Sequence, residues 1–564
     1  MEYAQGGNQD ELAQHVIREQ ARLEGERGNW NTHWENVAER VWPSMRGFQS
    51  QFAPGQRLQE KVFDGTAMLA LTRFAAAIES LLTPRTQRWH TLRPADPALA
   101  DNQAVKVYLD EVTDILFRYR YSANSSFASQ AHEMYMSLGA FGTGAMFIED
   151  GIRYVRPGLG NAPVIYKSLH LAEVYVDENA WGMIDCVYRK FQYTARQAKD
   201  AFGEENLPEK IRESCRDKPE TKYWFIHAVK PNHDMKPGRM DFQGMPFLST
   251  YVSVECQQVV SRGGYTSFPM PVPRYETSPR EVYGRSPAMQ VLPDILMVNE
   301  MAKTTIRAGQ RAVDPPLLLQ EDGALQAFSL RPGALNYGGV DDQGRPTIMP
   351  LQNSFNLPIG LEMMQDRREF INDAFLVSLF QIMVETPNMT ATEAMLRAQE
   401  KGALLAPTAG RLQSEFLGPL ISREIDILAK AGLLPEMPPA LAEIGGEFEI
   451  EYDSPITRLQ RSEEGVGILR TFEAAATVAQ FDPAAVKVLR GAEAIRELAE
   501  INGMPAKLLR PEEEIAAMDA AEAEQQQLAQ ILQAAPVVAD TAATLAQTEQ
   551  LERAAGQPTP GIGV

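Results

Sequence analysis

Apolar residues recur at helical spacing along most of this chain. They do so from about Asp10 to Glu39, from Val62 to Leu82, from Asn102 to Tyr119 and from Ser126 to Leu138. Spacing of three and four residues places such side chains on one face of an α-helix. The pattern therefore predicts four helices in the first quarter of the chain, the first of them ending before Pro43.

The pattern changes after Gly139. Short runs of β-branched and aromatic residues, separated by turn residues, predict a group of strands. The runs are Ala145–Ile148, Val164–Tyr166, Val174–Val176, Cys186–Phe191, Tyr223–Val229, Phe247–Val254 and Gln258–Val260. Helices return at Pro287 and dominate after Pro358. The predicted fold class is therefore α+β, mostly helical, with the strands grouped in the middle of the chain.

A long helix is predicted from Pro287 to Val313. Ser286 can cap it, and Pro287 suits its first position because the missing N–H costs nothing there. Pro293 should kink its start. A rod of roughly 40 Å needs neighbours to bury its apolar side, because helices are stabilised mainly by packing.

A second helix is predicted from Leu361 to Phe380. The two helices flank a Gly/Pro-rich section from Asp314 to Pro358, so they can lie antiparallel with that section at one end. Beyond it, Thr390 and Glu393 form a capping box that restarts a helix. This pattern indicates a mechanical or assembly part rather than a self-contained enzyme.

The chain has 564 residues and a net charge of −20, and its length indicates three or four structural regions. The acidity argues against a protein that grips nucleic acid, because DNA affinity rests on cationic phosphate contacts. It is compatible with a ring that lets DNA slide past, and equally with simple solubility. Three widely spaced cysteines, without a CxxC pair, predict reduced and buried thiols. Neither a signal peptide nor a membrane span is expected.

None of the candidate catalytic motifs has the full pattern that its chemistry requires. The glycines of Gly139–Gly144 lie between a helix and a strand, which is the wrong order for a phosphate loop, so a structural turn is expected. His132-Glu133 begins an HExxH-like string, but Met136 stands where the second histidine must be. The sequence contains neither GxxxxGK[ST] nor GxSxG. We therefore predict no catalytic residue, no cofactor and no metal site, and we do not expect an enzyme.

Several unrelated segments resemble, in the same order, the portal (head-to-tail connector) proteins of short-tailed, podovirus-type double-stranded DNA phages. They include YGRSPAMQVLPDI at Tyr283–Ile295, DPPLLL at Asp314–Leu319, RPGALN at Arg331–Asn336, TATEAMLRAQEK at Thr390–Lys401, FGTGAMFIED at Phe141–Asp150 and WxxVAERVWP at Trp34–Pro43. The resemblance extends from about Ala21 to about Pro511, and the last fifty or so residues carry little of it.

The resemblance implies a ring subunit with wing, stem, clip and crown regions. By this likeness, the parts are a wing at 1–286, a stem helix at 287–313, a clip at 314–358, a second stem helix at 359–384, a tunnel loop at 385–390, a wing helix and return at 391–460, a crown at 461–510, and acidic C-terminal helices at 511–564. The last part includes a predicted helix over Glu512–Gln533, and it could form a helical barrel or a disordered tail.

The resemblance also suggests functional residues. Lys303, Arg307 and Arg311 share one stripe of the first stem helix and could line a DNA channel. They could instead pair with acids such as Asp366 and Glu369 of a neighbouring subunit, or face solvent. The tunnel-loop candidates are Glu385, Thr386, Pro387, Asn388 and Met389, with an ordinary helix connector as the alternative. The clip candidates for docking are Asp314, Pro315, Pro316, Arg331 and Asn336.

The function that the resemblance implies is that of a phage portal. Such a protein forms a closed ring, expected to have twelve subunits, at one vertex of the virion capsid, after assembly in the host cytoplasm. It seeds the procapsid with scaffolding and major capsid proteins and passes double-stranded DNA inward and outward. The large terminase subunit docks on it, followed by tail adaptor or nozzle proteins. Two alternatives are another virion part, such as an adaptor or nozzle, and a cytosolic enzyme.

Overall fold

The computed structural model describes residues 9–49, 52–53, 55–100, 102–151, 162–319, 329, 331–337, 339–340, 343–350, 357–377, 406–453, 455–479, 488–501, 504, 508–510, 514–518, 520–523 and 525–526. The chain divides into two compact units. The first comprises residues 1–93, 111–437 and 448–460, and the second comprises residues 94–110, 438–447 and 461–564. The finer division into wing, stem, clip and crown stays a prediction.

The described residues form an α+β fold in which helices predominate, as predicted. The α-helices are α1 Gln9–Glu26, α2 Gly28–Val41, α3 Thr66–Leu82, α4 Gln103–Arg120, α5 Phe127–Phe141, α6 Ala195–Phe202, α7 Glu209–Asp217, α8 Pro287–Gln290, α9 Leu292–Val313, α10 Leu357–Ala374, α11 Gly418–Lys430, α12 Pro439–Glu443, α13 Pro455–Ala479 and α14 Gly491–Ile501. Short 3₁₀ turns occur at Pro43–Met45, Pro97–Leu99, Leu171–Glu173, Glu204–Asn206 and Phe242–Gly244.

The strands lie where the sequence predicted them, and β1 and β9 to β11 were not predicted. They are β1 His90–Pro94, β2 Met146–Asp150, β3 Val164–Ser168, β4 Val174–Glu178, β5 Ile184–Thr194, β6 Lys222–Pro231, β7 Phe247–Ser253, β8 Gln258–Tyr265, β9 Leu317–Leu319, β10 Ile348–Pro350 and β11 Phe448–Tyr452. Strands β4 to β8 make one antiparallel meander, and β2–β3, β9–β10 and β1–β11 are separate pairs.

The predicted single helix from Asp10 to Glu39 is wrong, because the chain breaks between α1 and α2 at Arg27. The buried Arg27 guanidinium donates hydrogen bonds to the carbonyl oxygens of Leu171, Val174 and Ala172, at 3.0, 2.6 and 2.9 Å. It also stacks over the Tyr175 ring at 3.8 Å. Long-range contacts of this kind override local helix propensity, and they interrupt the helix at Arg27.

Packing on the two faces of the β4–β8 sheet follows from the period-2 alternation of its strands. On one face, Ala13, Val16 and Leu23 of α1 pack on sheet residues such as Ile226. On the other, the short helices α6 and α7 cover Phe225 and its neighbours. Neither short helix was predicted, although Thr194 and Gln197 form a complete capping box at the start of α6.

A buried ion pair joins the end of α4 to α11. Arg120 Nε donates to both carboxylate oxygens of Glu424, at 2.9 and 3.2 Å, and Arg120 Nη1 lies 2.9 Å from His90 Nε2 on β1. The hydroxyl of Tyr166 on β3 donates to the same carboxylate. All four side chains are almost fully buried. One polar network therefore connects four elements of the first unit.

A π-helical turn, Gln413–Leu417, interrupts a helical run that begins at residue 406 and continues as α11. Pro419 explains the interruption. Its ring would clash with the carbonyl of Glu415 in an unbroken α-helix, and it has no N–H to donate. The wider turn lets Gly418 N–H bond to Gln413 O, which also accepts the Tyr452 hydroxyl at 3.2 Å.

The second unit contains α14 and the part of α13 from residue 461 onward. Gly465 on α13 lets α14 approach, since a Cβ there would lie 3.3 Å from Ile501 and 3.6 Å from Leu498. Beyond α14, residues 514–518, 520–523 and 525–526 are helical, within the helix predicted for the acidic C-terminal segment.

The three cysteines are free thiols that are half-buried rather than buried as predicted. They lie in and beside the β4–β8 sheet, and Cys215 Sγ donates to Ala195 O at 3.2 Å. Burial, followed by the nearby Asp185 and Asp177 carboxylates, raises the pKa of the Cys186 thiol to about 12. Among the described residues, no helix has the length and apolar character needed to span a bilayer.

Candidate functional site

The predicted start of the long helix is confirmed. Ser286 Oγ accepts the N–H of Met289 at 3.0 Å and donates to Ala140 O at 2.8 Å, so it caps α8 and fixes it to α5. Pro287 occupies the first turn of α8. The helix then breaks at Val291, and α9 begins at Leu292 with Pro293 in its first turn. The kink predicted at Pro293 is thus present as a break one to two residues before it.

Two glycines let the chain segment that leads into α8 pass close to the end of α5. Gly142 has φ +74°, and a Cβ there would lie 2.4 Å from Gly284 O. The N–H of Gly284 in turn donates to Thr143 Oγ1 at 2.9 Å. The Gly139–Gly144 string is therefore the structural turn that was expected, from α5 to β2.

Arg274 also holds the segment that leads into α8. Its guanidinium is buried and donates to Val282 O at 3.2 Å, Gly182 O at 2.7 Å and Glu178 Oε2 at 3.3 Å. It also forms a bidentate ion pair with Glu415 in the π-helical turn, with contacts of 2.7 to 3.3 Å. Arg274 therefore joins four segments at the base of the long helix.

The first half of α9 is attached to the body through Asn299. This amide lies among the apolar residues of the buried helix face. Its Oδ1 accepts the N–H groups of Phe63 and Asp64 at 2.7 and 3.3 Å, and its Nδ2 donates to Lys61 O at 2.9 Å. The loop before α3 is thereby held against α9.

Asp64 extends this attachment to α10. It caps α3 by accepting the N–H of Thr66 at 2.9 Å, and it accepts Arg368 Nε and Nη2 at 3.0 and 2.7 Å. Burial raises the pKa of the Asp64 carboxyl, but its hydrogen bonds with Thr66 and Arg368 outweigh burial and hold the pKa below its ordinary value. These contacts also explain why α3 begins at Thr66, four residues after the predicted start at Val62.

Helices α9 and α10 lie side by side and run in opposite directions. Asp294, in the first turn of α9, accepts Arg367 Nη1 of the second half of α10 at 3.1 Å. At the other end, β9 follows α9 and pairs antiparallel with β10, which precedes α10, in the register Leu317↔Pro350 to Leu319↔Ile348. The predicted antiparallel pair is therefore present. The helix α10 ends at Ala374, before the end predicted at Phe380, because the chain turns at residues 375–376, where Leu376 has a positive φ of 58°.

The three predicted channel cations differ in their surroundings. Lys303 Nζ donates to both carboxylate oxygens of Glu300, at 2.9 and 3.0 Å, and lies 5.5 Å from the centre of the Phe63 ring. Arg307 and Arg311 are exposed and line an open cleft of about 820 Å³ together with Gln310 and Asp314. Asp366 and Glu369, the acids considered as their partners, are also exposed on α10.

The described part of the predicted clip exposes apolar side chains. Leu318, Met349, Leu335 and Tyr337 are between 51% and 82% exposed. A two-stranded ribbon is marginally stable alone, and an exposed apolar ribbon is suited to association.

The described part of the predicted clip includes all five docking candidates, Asp314, Pro315, Pro316, Arg331 and Asn336. Arg331 is exposed, whereas Asn336 closes a turn by exchanging hydrogen bonds with Ser329 N and O at 2.8 and 2.9 Å. Asn336 therefore stabilises this turn, a role that the sequence did not suggest. The tunnel-loop candidates Glu385, Thr386, Pro387, Asn388 and Met389 lie outside the described residues.

Sequence reasoning did not identify the attachment residues Asn299, Asp64, Arg368 and Arg274. Of these four, only Asn299 could have been identified from the sequence, because it is a polar residue at the centre of an apolar helical face. The others act through partners far away in the chain, such as Glu415 for Arg274. No group of three or more potential metal ligands occurs in the described parts of the chain.

The arrangement defines a class of protein in which two long antiparallel helices, fixed at their base, carry an exposed apolar ribbon. The model of the family described as "Bacteriophage head to tail connecting protein" matches residues 13–509. The chain belongs to this family, and the resemblance to portal proteins is confirmed.

Two relatives are similar over almost the whole chain. The chain is 28% identical over 546 residues to the portal protein of Salmonella phage epsilon15, covering 95% of each chain. It is 27% identical over 535 residues to the probable portal protein of Bordetella phage BPP-1, covering 94% of each.

Two solved structures have a distant likeness to the fold. One is the neck of an empty gene transfer agent particle computed with C6 symmetry, with a TM-score of 0.33 and 12% identity over 77% of this chain and 90% of that chain. The other is the virion of a native gene transfer agent particle, with a TM-score of 0.31 and 14% identity over 77% and 94%.

Proposed function

We propose that this protein forms a closed ring at one vertex of a phage capsid, with α9 and α10 as the stem around a channel for double-stranded DNA. The ring would nucleate the procapsid with scaffolding and major capsid proteins in the host cytoplasm. It would then conduct DNA during packaging and ejection. Twelve subunits are the number expected from the resemblance. The large terminase subunit, and afterwards tail adaptor or nozzle proteins, would dock on the clip at 314–358.

The observation that carries this proposal is the antiparallel α9–α10 pair, which ends in the exposed β9–β10 ribbon. The second half of α9 is exposed along most of its length, including Ile306 at 48% and Val313 at 88%. A single helix of this kind is poorly stabilised in water without packing partners. Repetition of the pair around a rotation axis would supply those partners, and a heterologous contact closes when the rotation divides a full turn. We assign no reaction to the protein.

The proposal is tested by light scattering of the purified chain followed by electron-microscope class averages. Twelve copies of the 62.7 kDa chain would give a particle of about 750 kDa with a central hole. A compact monomer or dimer that persists with scaffolding protein present would contradict the ring. It would leave another virion part, such as an adaptor or nozzle that joins an existing vertex, as the better assignment.

A further inference from the structure

One tryptophan of the first unit is almost fully exposed. Trp181 lies at the tip of the turn between β4 and β5, here called the Trp181 turn, and it is 88% exposed, with Met183 beside it at 60%. Tryptophan is largely buried in most folded proteins, and at protein contacts it is enriched among the residues that dominate binding. The tip of this turn therefore has the character of a contact residue without its partner.

Hydrogen bonds hold the Trp181 turn in one conformation. Asn179 Oδ1 accepts the N–H groups of Trp181 and Met183 at 2.9 and 3.1 Å, and Asn179 N donates to Met183 O at 2.8 Å. The buried Arg274 guanidinium fixes the turn to the body through Gly182 O at 2.7 Å. An anchor that is ordered before association loses little conformational entropy when it binds, and this favours a contact at Trp181.

The base of the Trp181 turn is acidic. Asp177, Glu178 and Asp185 lie there, and residues 177–185 contain no cation. Arg22 of α1 pairs with Asp177 at 2.8 Å, but it is shared with two glutamates of its own helix. A surface that receives this turn should therefore combine apolar side chains with positive charge.

The solvent side of α3 has this complementary character. Its exposed residues lie along one side of the helix and include no carboxylate: Leu69, Thr72, Arg73, Ala76 and Ser80. Leu69 is 62% exposed, and Phe63, just before the helix, is 41% exposed. Lys61 lies beside Phe63 and shares the Glu39 carboxylate with two arginines. This surface, here called the α3 face, is therefore apolar and cationic.

The Trp181 turn and the α3 face point away from each other within one chain. Phe74, on the buried side of α3, packs its ring 5.7 Å from that of Tyr275, and the adjacent Arg274 holds the Trp181 turn. Leu69 lies about 140° around the helix from Phe74. It therefore faces away from the segment that holds Trp181, so the two surfaces can meet only between different copies of the chain.

We propose that the Trp181 turn of one copy packs on the α3 face of the next, with Trp181 and Met183 against Leu69 and the acidic base of the turn near Arg73. The contact is heterologous because it joins two different surfaces, and such contacts close when the rotation per subunit divides a full turn. The inference rests on the proposed function for its second copy, and it adds a contact outside the α9–α10 pair and the ribbon.

Photocrosslinking from position 181 tests the contact. Benzoylphenylalanine replaces Trp181 in the full chain, and the purified protein is irradiated and separated on a denaturing gel. We expect covalent dimers of the 62.7 kDa chain, with the adduct in the tryptic peptide Val62–Arg73. The same probe at the exposed Glu220, at the opposite end of the β4–β8 sheet, is the control and should give at least tenfold fewer dimers. Equal yields at both positions, or an adduct in another peptide, would overturn the assignment.

Substitutions of Trp181 test the same contact without a probe. Trp181→Ala should leave the circular dichroism of the chain unchanged, because the side chain is exposed, but should reduce assembly several-fold in light scattering across a concentration series. Trp181→Phe keeps an aromatic ring and should retain most of the assembly. If Trp181→Ala assembles like wild type, the turn is free for another protein and the contact between copies is wrong.

Failure of the ring and failure of this contact would give different results. Crosslinked dimers from a chain that forms no closed ring would leave the contact standing and contradict the proposed function. A closed wild-type ring together with no crosslinks from position 181 would leave the ring intact and overturn the contact. A chain that stays monomeric would contradict both.

Discussion

At the scale of single residues, the first unit depends on buried charges that each have several partners. Arg120 is satisfied by Glu424, by His90 and by the faces of Trp89 and Phe117, at 4.6 and 5.0 Å from its guanidinium carbon. Arg27 has three backbone carbonyls and the Tyr175 ring. Buried charges are costly unless they are paired in this way. These residues therefore determine how neighbouring elements are placed.

Glu424→Gln tests the cost of leaving Arg120 without its counter-charge. We expect a loss of about 3–5 kcal/mol in the free energy of unfolding, because a buried guanidinium would remain uncompensated. The measurement is urea denaturation monitored by tryptophan fluorescence. Glu26→Gln, which removes one carboxylate from the exposed Arg22 cluster, is the control and should cost at most about 1 kcal/mol. Similar losses for both variants would contradict the special role of the buried pair.

The buried histidines predict loss of stability in acid. Burial, aided by Arg120 and Arg88, holds the pKa of His90 well below its usual range, and burial with Arg189 does the same for His227. Both therefore stay neutral in the folded chain but gain a proton near pH 6.5 when unfolded. Stability is accordingly full above that pH and falls below it, by up to about 1.4 kcal/mol per pH unit for each histidine.

Urea denaturation at pH 7.5 and pH 5.5 checks this expectation. His90→Gln should be less stable than wild type at pH 7.5 but should lose less stability between the two pH values. The exposed His233→Gln is the control and should keep the wild-type dependence. An unchanged pH dependence in His90→Gln would show that this histidine does not titrate on unfolding.

At the scale of elements, close approach of backbones decides how the long helix is attached. The turn after α5 and the approach to α8 lie so near each other that neither Gly142 nor Gly284 has room for a Cβ atom. Asn299, Asp64 and Arg368 then fix the helix pair to α3 through hydrogen bonds. The helix pair is therefore attached at its base, and the second half of α9 is exposed.

Two alanine substitutions distinguish two contributions to a loss of stability: the collision of a new Cβ atom and the strain of the left-handed backbone. Gly142 and Gly182 both have φ near +75°, but a Cβ at Gly182 would meet nothing within 4 Å. Gly182→Ala should cost about 1 kcal/mol from the left-handed conformation alone. Gly142→Ala should cost several times more, because the methyl group would collide with Gly284 and Arg285. Thermal unfolding of both variants provides the comparison, and equal shifts in Tm would rule out the steric contribution.

At the scale of the whole molecule, the separated chain leaves apolar side chains exposed on the second half of α9 and on the β9–β10 ribbon. Exposed apolar patches of this kind mark interaction surfaces. Membership of the head-to-tail connecting family agrees with a chain whose burial is completed by neighbouring molecules.

The ribbon offers a test at this scale. Leu318→Lys/Met349→Lys should leave the circular dichroism of the chain unchanged but reduce its assembly into large particles, because charge on an apolar ribbon opposes burial. Light scattering across a concentration series measures the effect. Met240→Lys is the control, since Met240 is 99% exposed in the β6–β7 loop. Assembly that is as efficient as in wild type would show that the ribbon lies outside the subunit contact.

Local signals in the sequence determined a large part of this fold. The alternation of apolar residues located β2 to β8, and helical spacing with Ser286, Pro287 and the Asp314-Pro315-Pro316 stop located α8 and α9. These signals are local because side-chain period, capping and proline chemistry act within a few residues. The family likeness, confirmed over residues 13–509, also came from the sequence alone.

Tertiary structure decided what depends on partners distant in the chain. The break at Arg27, the late start of α3 at Thr66 and the withdrawal of Lys303 toward Glu300 and Phe63 each result from contacts between separate segments. Helical spacing placed Lys303, Arg307 and Arg311 on one stripe, but only the packing of α9 on the body and on α10 showed which side each faces. A sequence pattern defines the faces of a helix, and the neighbours of that helix determine where each face points.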